Sequence, residues 1–352
     1  MSLSGLSGLS GLSGLSGLSG LSGLSGLSGL SGLSGLSGVH APLTQATGPL
    51  EAQALIFSRD GIFEEVTDND WSTQWNPRKT WSPPPGKDWD DAQNPIKFDR
   101  VEELGQSAQH IRHMINLTSL LTSITCVNEA PNFTVRDNKG GKISTLKRPS
   151  FQTFVDQLDD VASWATRREE RASEILAQVG PQAPFWASVL QLQPHRTPYT
   201  LELMDCALTF AMMVCMRFKH AFNCPRPGEY SPNIQPMIPV PGFSTYPSGH
   251  ATESRMFAEV MIQLTGQRNS VDDPSSPDHN SSLAIQLRRL SSRIAENRVV
   301  AGLHFPTDSN AGVKLGTDLA RWFVSLAKDP SHTLNWVWIR AVEETKKLGF
   351  KP

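Results

Sequence analysis

Three short polar clusters interrupt an otherwise apolar part of the sequence, and their residue types could do chemistry. The first is FKHAFNCPRP, in which Lys219 ends an apolar run and Arg226 follows seven residues later. A lysine and an arginine beside a protein core are costly to bury unless an anion pairs with them. Taken alone, this cluster is more typical of a helix C-terminus, where cations are favoured and long side chains reach solvent.

The second cluster, TYPSGHATES, places a histidine at the predicted start of a helix. Ser248 is suited to cap that helix, and Gly249 would let the backbone approach a ligand closely. The free N–H groups of Gly249 and His250 would then point at a bound anion, with which His250 could exchange protons. By itself, this cluster is only a weak indication of an anion site, because Ser-Gly is common before a helix.

The third cluster, ENRVVAGLHFPTDSNAG, combines Arg298, a histidine and a carboxylate. Pro306 should break the helix just after His304, and Asp308 lies four residues beyond that histidine. A carboxylate at this spacing can accept a hydrogen bond from one ring nitrogen, which leaves the other free as a nucleophile or ligand. Considered separately, the cluster is better explained as a core histidine followed by an N-terminal Asp cap.

Together, the clusters read Lys-x6-Arg-Pro, Pro-Ser-Gly-His and Arg-x5-His-x3-Asp along the chain. In this order and at these loop lengths, the chain resembles the superfamily that joins type 2 phosphatidic-acid phosphatases, bacterial acid phosphatases and vanadium-dependent haloperoxidases. The motifs cover residues 219–308, and the predicted helices extend the resemblance to 101–352. One departure is Asn297, which stands where the third motif usually has Ser. Because an Asn can still orient a neighbour by hydrogen bonding, we expect the anion site to survive.

The resemblance implies an oxyanion site with two histidines. Three cations and two hydrogen-bonding residues would bind phosphate or vanadate, namely Lys219, Arg226, Arg298, Ser248 and Gly249. His304 would attack phosphorus or ligate the vanadium, with Asp308 holding its ring. His250 would protonate the leaving alcohol, or act as acid and base on hydrogen peroxide at the vanadate. Both chemistries need preorganised positive charge around a five-coordinate oxyanion.

The residues before His250 favour one of these chemistries. Phe243 lies seven residues ahead of this histidine and Ala-Thr follows it, which is similar to the fungal chloroperoxidases. An apolar ring beside the anion would desolvate a halide and leave His250 unpaired. The resemblance therefore implies a haloperoxidase with a vanadate cofactor, using hydrogen peroxide and halide. Against it, Met216 occupies a position where the chloroperoxidases carry Trp, and haloperoxidases are usually longer.

Two alternatives stay open. The first is a soluble acid phosphatase, without vanadate, that hydrolyses phosphoesters through a phosphohistidine at His304. The second is an inactive oxyanion-binding helical module, with Asn297 marking lost activity. The presence of all the charged and histidine residues of the motifs argues against an inactive module, because degenerate relatives would be expected to lose at least one.

Apolar residues recur with a period near 3.6 in the part of the chain that must position these residues. Helices are predicted at 101–124, 151–179, 200–222, 249–266, 281–301, 308–327 and 333–347. We find no segment in which Val or Ile alternates with polar residues, so no strands are predicted. The sequence therefore predicts an all-α fold, a bundle of long helices with the oxyanion site at helix ends in the bundle core.

The composition divides the chain into three segments. Residues 1–38 repeat Leu-Ser-Gly almost without variation and are interpreted as disordered or artefactual. Residues 39–100 are rich in Trp and Pro, and we interpret them as a strap packed on the core. The helical catalytic domain then occupies 101–352. The acidic loop with Asp272 and Asp273 is a solvated connection in this interpretation, rather than a metal site.

The chain of 352 residues has a net charge of −2, which gives no general attraction for nucleic acid or an acidic membrane surface. No apolar run is long enough to span a bilayer and no signal peptide is recognised, so we expect a soluble protein whose compartment stays open. The four cysteines lack a metal-ligand spacing and are expected to be buried free thiols or an incidental bridge. Apolar helix faces of such bundles often pair, which would give a homo-oligomer.

Overall fold

The described part of the chain consists mainly of helices. The computed structural model describes residues 101–266 and 282–350. The predicted Leu-Ser-Gly tract, the predicted strap over 39–100 and the acidic loop lie outside these residues. The α-helices are α1 (Gln109–Thr122), α2 (Phe151–Val155), α3 (Leu158–Trp164), α4 (Arg168–Ala177), α5 (Ala183–Leu190), α6 (Pro198–Phe222), α7 (Pro227–Tyr230), α8 (Gly249–Leu264), α9 (Ser282–Val300), α10 (Pro306–Ala327) and α11 (Thr333–Lys347).

The prediction of a mostly helical bundle is confirmed, and the helices that carry the three motifs are the best predicted. Each end of α6, α8, α9, α10 and α11 lies within two residues of its predicted position. The predicted helix over 151–179 is wrong as a single element, because it is broken into α2, α3 and α4. At one break, Gln157 leaves helical geometry and its side chain accepts a hydrogen bond from Thr307 N at 3.0 Å. This contact between Gln157 and the first turn of α10 thus favours a break between α2 and α3 over one continuous helix.

The expectation that strands are lacking is also wrong. Three strands, β1 (Ile124–Glu129), β2 (Asn132–Asp137) and β3 (Lys142–Lys147), form an antiparallel sheet in the order β1-β2-β3. Each strand has only six residues, too few for the alternation of Thr, Val, Ile and Phe to stand out against the helical pattern. Phe133 of this sheet packs edge-on against Phe218 of α6, with ring centroids 5.0 Å apart.

The core is built around α6, whose apolar residues are buried along most of its length. Next to it, α8 and α10 cross closely at two glycines. A Cβ added to Gly312 would lie 2.6 Å from Ser248 O, and one added to Gly316 would collide with Thr252 O. Only glycine therefore allows α10 to lie against the first turns of α8, the helix that starts at the second motif.

Two sequence-based expectations about the whole chain can be compared with the described residues. All four cysteines are free thiols and three of them are buried, so the alternative of an incidental bridge is wrong. In the described ranges, no helix has the length and apolar character needed to cross a membrane.

Candidate active site

The three motifs meet around one cavity of about 60 Å³. This is a few times the volume that a single water molecule needs. Seven of the residues chosen from the sequence line it, namely Lys219, Arg226, Phe243, Gly249, His250, Arg298 and His304. The other two, Ser248 and Asp308, are fully buried and join α8 to α10, since Ser248 N donates to Asp308 O at 3.0 Å.

Lys219 is placed in the cavity by the way α6 ends. Asn223 adopts a left-handed backbone conformation (φ 45°) and caps the helix, which turns the chain back toward Arg226. The Lys219 side chain is 2% exposed, and its Nζ donates to Ser244 O at 2.8 Å and Thr245 O at 3.0 Å. Burial lowers the pKa of Lys219 from 10.5 to about 8. The ammonium group is therefore held beside the cavity at an electrostatic cost.

Both site arginines are buried and each keeps an N–H group unpaired. Arg226 donates through Nε to Phe243 O at 3.1 Å and through Nη1 to Leu303 O at 3.0 Å. Arg298 donates through Nη2 to Gln178 Oε1 at 3.0 Å. Among the described residues, Arg226 Nη2 and Arg298 Nε have no hydrogen-bond partner. Burial lowers the pKa of each guanidinium to about 10. Unpaired buried donors on two cations are what an anionic ligand would satisfy.

His304 lies in the turn before α10, which begins at Pro306. Its Nδ1 is 3.1 Å from Asp308 Oδ2 and 3.1 Å from Thr245 Oγ1, and Thr245 Oγ1 donates to the same carboxylate oxygen at 2.5 Å. Burial, and next the charge of Arg226, lower the pKa of His304 well below its usual value. Burial raises the pKa of Asp308 to about 6. The pair is thus a neutral imidazole donating to a carboxylate, and Nε2 keeps its lone pair.

His250 lies in the first turn of α8, directly after Gly249. Its Nε2 lies 3.0 Å from the carbonyl oxygen of Gln178, so this nitrogen carries the proton and Nδ1 the lone pair. Burial, and then the charge of Arg298, lower the pKa of His250 from 6.5 to about 3. The second histidine is therefore also neutral, and it is oriented by a backbone carbonyl instead of a carboxylate.

Phe243 lies against the cations of the cavity. Lys219 Nζ is 5.1 Å and Arg226 Cζ is 5.3 Å from the centroid of its half-buried ring. Cations at this distance from an aromatic face are attracted to it. The ring therefore contributes an apolar surface to a cavity whose polar lining is mainly cationic.

Asn297 orients Arg298 indirectly. Its Nδ2 donates to Gln178 Oε1 at 3.0 Å, the same oxygen that accepts from Arg298 Nη2. The amide of Asn297 also bonds Glu174 at 2.9 Å and Arg171 at 3.1 Å, so it is held from two sides. Asn297 therefore keeps Gln178 in place for Arg298.

Ser248 acts mainly as a helix cap. It is fully buried, and its Oγ accepts from Ala251 N at 3.4 Å at the start of α8. It is not among the side chains that line the cavity. Its predicted hydrogen bond to the anion stays a prediction.

Three residues around the cavity were missed from the sequence. Thr245 and Gln178 contact the histidines and Arg298 as described above. The third is Glu253, a buried carboxylate that lines the cavity one turn after His250. A helix places residues three apart on the same face, so the position of Glu253 could have been found from the spacing. Gln178 lies 120 residues before Arg298 and no local pattern connects them.

Comparisons with known proteins match part of the chain. Residues 228–332 match a family model described as the VCPO second helical-bundle domain. A solved structure described as the first bacterial vanadium-dependent iodoperoxidase is similar, with 19% identity and a TM-score of 0.38. That match covers 50% of this chain and 49% of the iodoperoxidase chain, so this chain spans about half of its length. No curated protein matches the sequence.

Proposed function

We propose that this chain is a vanadate-dependent haloperoxidase, a proposal that the match of residues 228–332 to the VCPO second helical-bundle domain supports. In this reaction hydrogen peroxide oxidises a halide ion. The observation that carries the proposal is the cavity itself. Two buried arginines that line the same small cavity as His304 each carry an unpaired N–H group, and Nε2 of His304 keeps its lone pair.

Vanadate fits the donor set of the cavity. Lys219, Arg226 and Arg298 would hold its oxygens, Gly249 would allow the backbone N–H of α8 to approach it, and His304 Nε2 would ligate the vanadium. When bound, vanadate supplies a Lewis acid that activates hydrogen peroxide toward a halide. The unpaired Arg226 Nη2 and Arg298 Nε are the orphan donors that such an oxyanion would satisfy.

The two histidines have different tasks in this proposal. His304 is kept neutral by burial, and Asp308 with Thr245 fixes its proton on Nδ1, so the ring can bind through Nε2. His250 holds its proton on Nε2 against the Gln178 carbonyl, so Nδ1 can accept a proton from hydrogen peroxide and return it. A negatively charged ligand would raise the very low pKa of His250 toward the working pH.

Phe243 favours halide oxidation over phosphate hydrolysis. Its ring lines the cavity beside Lys219 and Arg226 and limits the room for water. A weakly hydrated halide can lie against such an apolar surface near cations. Hydrolysis, by contrast, needs water to reach the ligand of His304.

An acid phosphatase is the second candidate. The same cations suit phosphate, His304 Nε2 could attack phosphorus, and His250 could protonate the leaving alcohol. Met216 lines the cavity near Lys219, in the position where the fungal chloroperoxidases carry Trp. This substitution removes one feature of the chloroperoxidases and is compatible with a phosphoester.

One experiment separates the candidates. The purified chain is assayed with and without orthovanadate, against hydrogen peroxide plus bromide or iodide and against para-nitrophenyl phosphate. We expect halide oxidation that requires vanadate and peroxide, with weak phosphatase activity in the vanadate-free protein. If neither halide is oxidised and the vanadate-free protein hydrolyses the phosphoester at enzyme-like rates, the phosphatase is correct. His304→Ala should lose either activity and serves as the control.

A further inference from the structure

Glu253 brings a hydrogen-bond acceptor into a cavity that otherwise offers mainly donors. The residue is 3% exposed, and its Oε2 accepts from Gln182 Nε2 at 3.2 Å. Its Oε1 is buried and has no hydrogen-bond partner among residues 101–266 and 282–350. An unpaired carboxylate oxygen in a protein interior is costly. A ligand of this cavity is therefore expected to present a proton to it.

The position of Oε1 relates it directly to the anion-binding groups. A Cβ added to Gly249 would lie 3.5 Å from Glu253 Oε1 and 4.0 Å from Lys219 Cε. The carboxylate oxygen, the first turn of α8 and the lysine thus face one point beside Gly249. A tetrahedral oxyanion placed there would meet cations and N–H groups with its bare oxygens. The oxygen that faces Glu253 would be repelled unless it carried a hydrogen.

We propose that Glu253 accepts a hydrogen bond from the hydroxyl of a protonated oxyanion, and so selects hydrogen vanadate and hydrogen phosphate against fully deprotonated oxyanions such as sulfate and molybdate. All four anions are tetrahedral and negatively charged, so the cations alone discriminate poorly among them. A buried acceptor rejects the anion that lacks the proton, because both partners would then be left unsatisfied. This inference rests on the proposed oxyanion site but not on which reaction the site performs.

Calorimetric titration with phosphate, sulfate, vanadate and molybdate tests the inference. At a pH above the Glu253 pKa of about 7, the carboxyl is ionised. We expect the wild type to bind phosphate over sulfate, and vanadate over molybdate, by about 10- to 100-fold, the range for one unpaired buried polar group. Glu253→Gln presents an amide donor at the same place. It should bind sulfate and molybdate more tightly and bring both ratios close to one.

Glu259→Gln is the matched control. Glu259 is a second buried carboxylate on α8, but it pairs with Arg255 at 3.0 Å and Arg288 at 2.9 Å, away from the cavity. Its replacement should leave the selectivity ratios unchanged. Equal binding of sulfate and phosphate by the wild type, or ratios that Glu253→Gln leaves intact, would overturn the role of Glu253 while the anion site stands. A wild type that binds none of the four anions would overturn both.

Discussion

His304 and His250 line the same cavity but are oriented by different partners. Asp308 and Thr245 engage Nδ1 of His304, whereas the Gln178 carbonyl engages Nε2 of His250. Each ring therefore keeps a lone pair on the opposite nitrogen. This difference supports the proposed division of roles, with His304 as ligand or nucleophile and His250 as acid and base.

The two histidines should give different losses when removed. His304→Ala should abolish retention of vanadate, because the ring nitrogen would be its ligand. His250→Ala should keep vanadate but slow turnover by roughly 100- to 10,000-fold, the range for lost acid–base help. Equilibrium dialysis with vanadate and steady-state rates measure the two effects. Vanadate lost from the His250 variant alone would mean that the roles are exchanged.

Phe243 should decide between the two chemistries. Phe243→Asn puts a polar side chain beside Lys219 and Arg226 and admits water. We expect halide oxidation to fall more than phosphoester hydrolysis, because a polar, wetter surface no longer favours a weakly hydrated halide. The ratio of the two rates is the measurement. Phe243→Leu, which keeps the site apolar, should change this ratio less; an equal fall of both rates in Phe243→Asn would contradict the assignment.

At the scale of elements, the site depends on the close crossing of α8 and α10. Gly312 and Gly316 leave no room for a side chain against the backbone of α8. The crossing brings Ser248 N against Asp308 O, and so holds the start of the His250 helix against the start of the helix that follows His304. Small residues in α10 thus determine the separation of the two elements that carry His250 and His304.

Gly316→Ala should therefore be strongly destabilising. The new Cβ would collide with Thr252 O and lie 2.9 Å from Met256 N, both backbone atoms that cannot rotate away. Overpacking of this kind costs about 1–3 kcal/mol or more in the free energy of unfolding, measurable by denaturant titration. Gly180→Ala is the control, since its nearest atom would lie at an ordinary 3.5 Å. Equal stability of the two variants would mean that the helices can separate freely.

At the scale of the whole molecule, positive charge is concentrated around the cavity, although the chain as a whole is slightly negative. The chain has a net charge of −2, yet Lys219, Arg226 and Arg298 are all 3% exposed or less around one cavity. Burying three cations in the core is unfavourable by itself, because loss of hydration lowers the pKa of all three residues. The folded protein without an anion should therefore be less stable than the loaded protein.

Vanadate should stabilise the folded chain. A ligand present at 100 times its Kd and bound only to the folded state adds about 2.7 kcal/mol to the free energy of unfolding. Thermal unfolding with and without orthovanadate measures this as a rise in Tm. Arg298→Ala should bind vanadate more weakly by about 1.5–3 kcal/mol, the range for a hydrogen bond to a charged group, and show a smaller rise. Arg289→Ala, an exposed arginine on the same helix, should behave as the wild type; a Tm that vanadate leaves unchanged would contradict the site.

The sequence by itself determined the parts of this protein that depend on neighbours along the chain. The long helices follow from apolar periodicity, and their ends follow from Ser248, Pro306 and similar local signals. Residue type and spacing within one cluster were not enough to choose the site residues, and the order of the three clusters, with the family resemblance that it gives, selected them. The prediction that these residues assemble around one cavity came from the family resemblance and not from their spacing.

Only the tertiary structure decided which distant groups complete the site. Glu253 lines the cavity, Thr245 contacts His304, and Gln178 contacts Arg298 across 120 residues of sequence. The three short strands within 124–147 also depend on packing, because the face of the sheet that carries Phe133 packs against α6. The physical reason is common to both cases. A buried polar group or a half-apolar strand is stabilised by the partner that tertiary packing places next to it. That partner can be far away in the sequence, so local residues do not identify it.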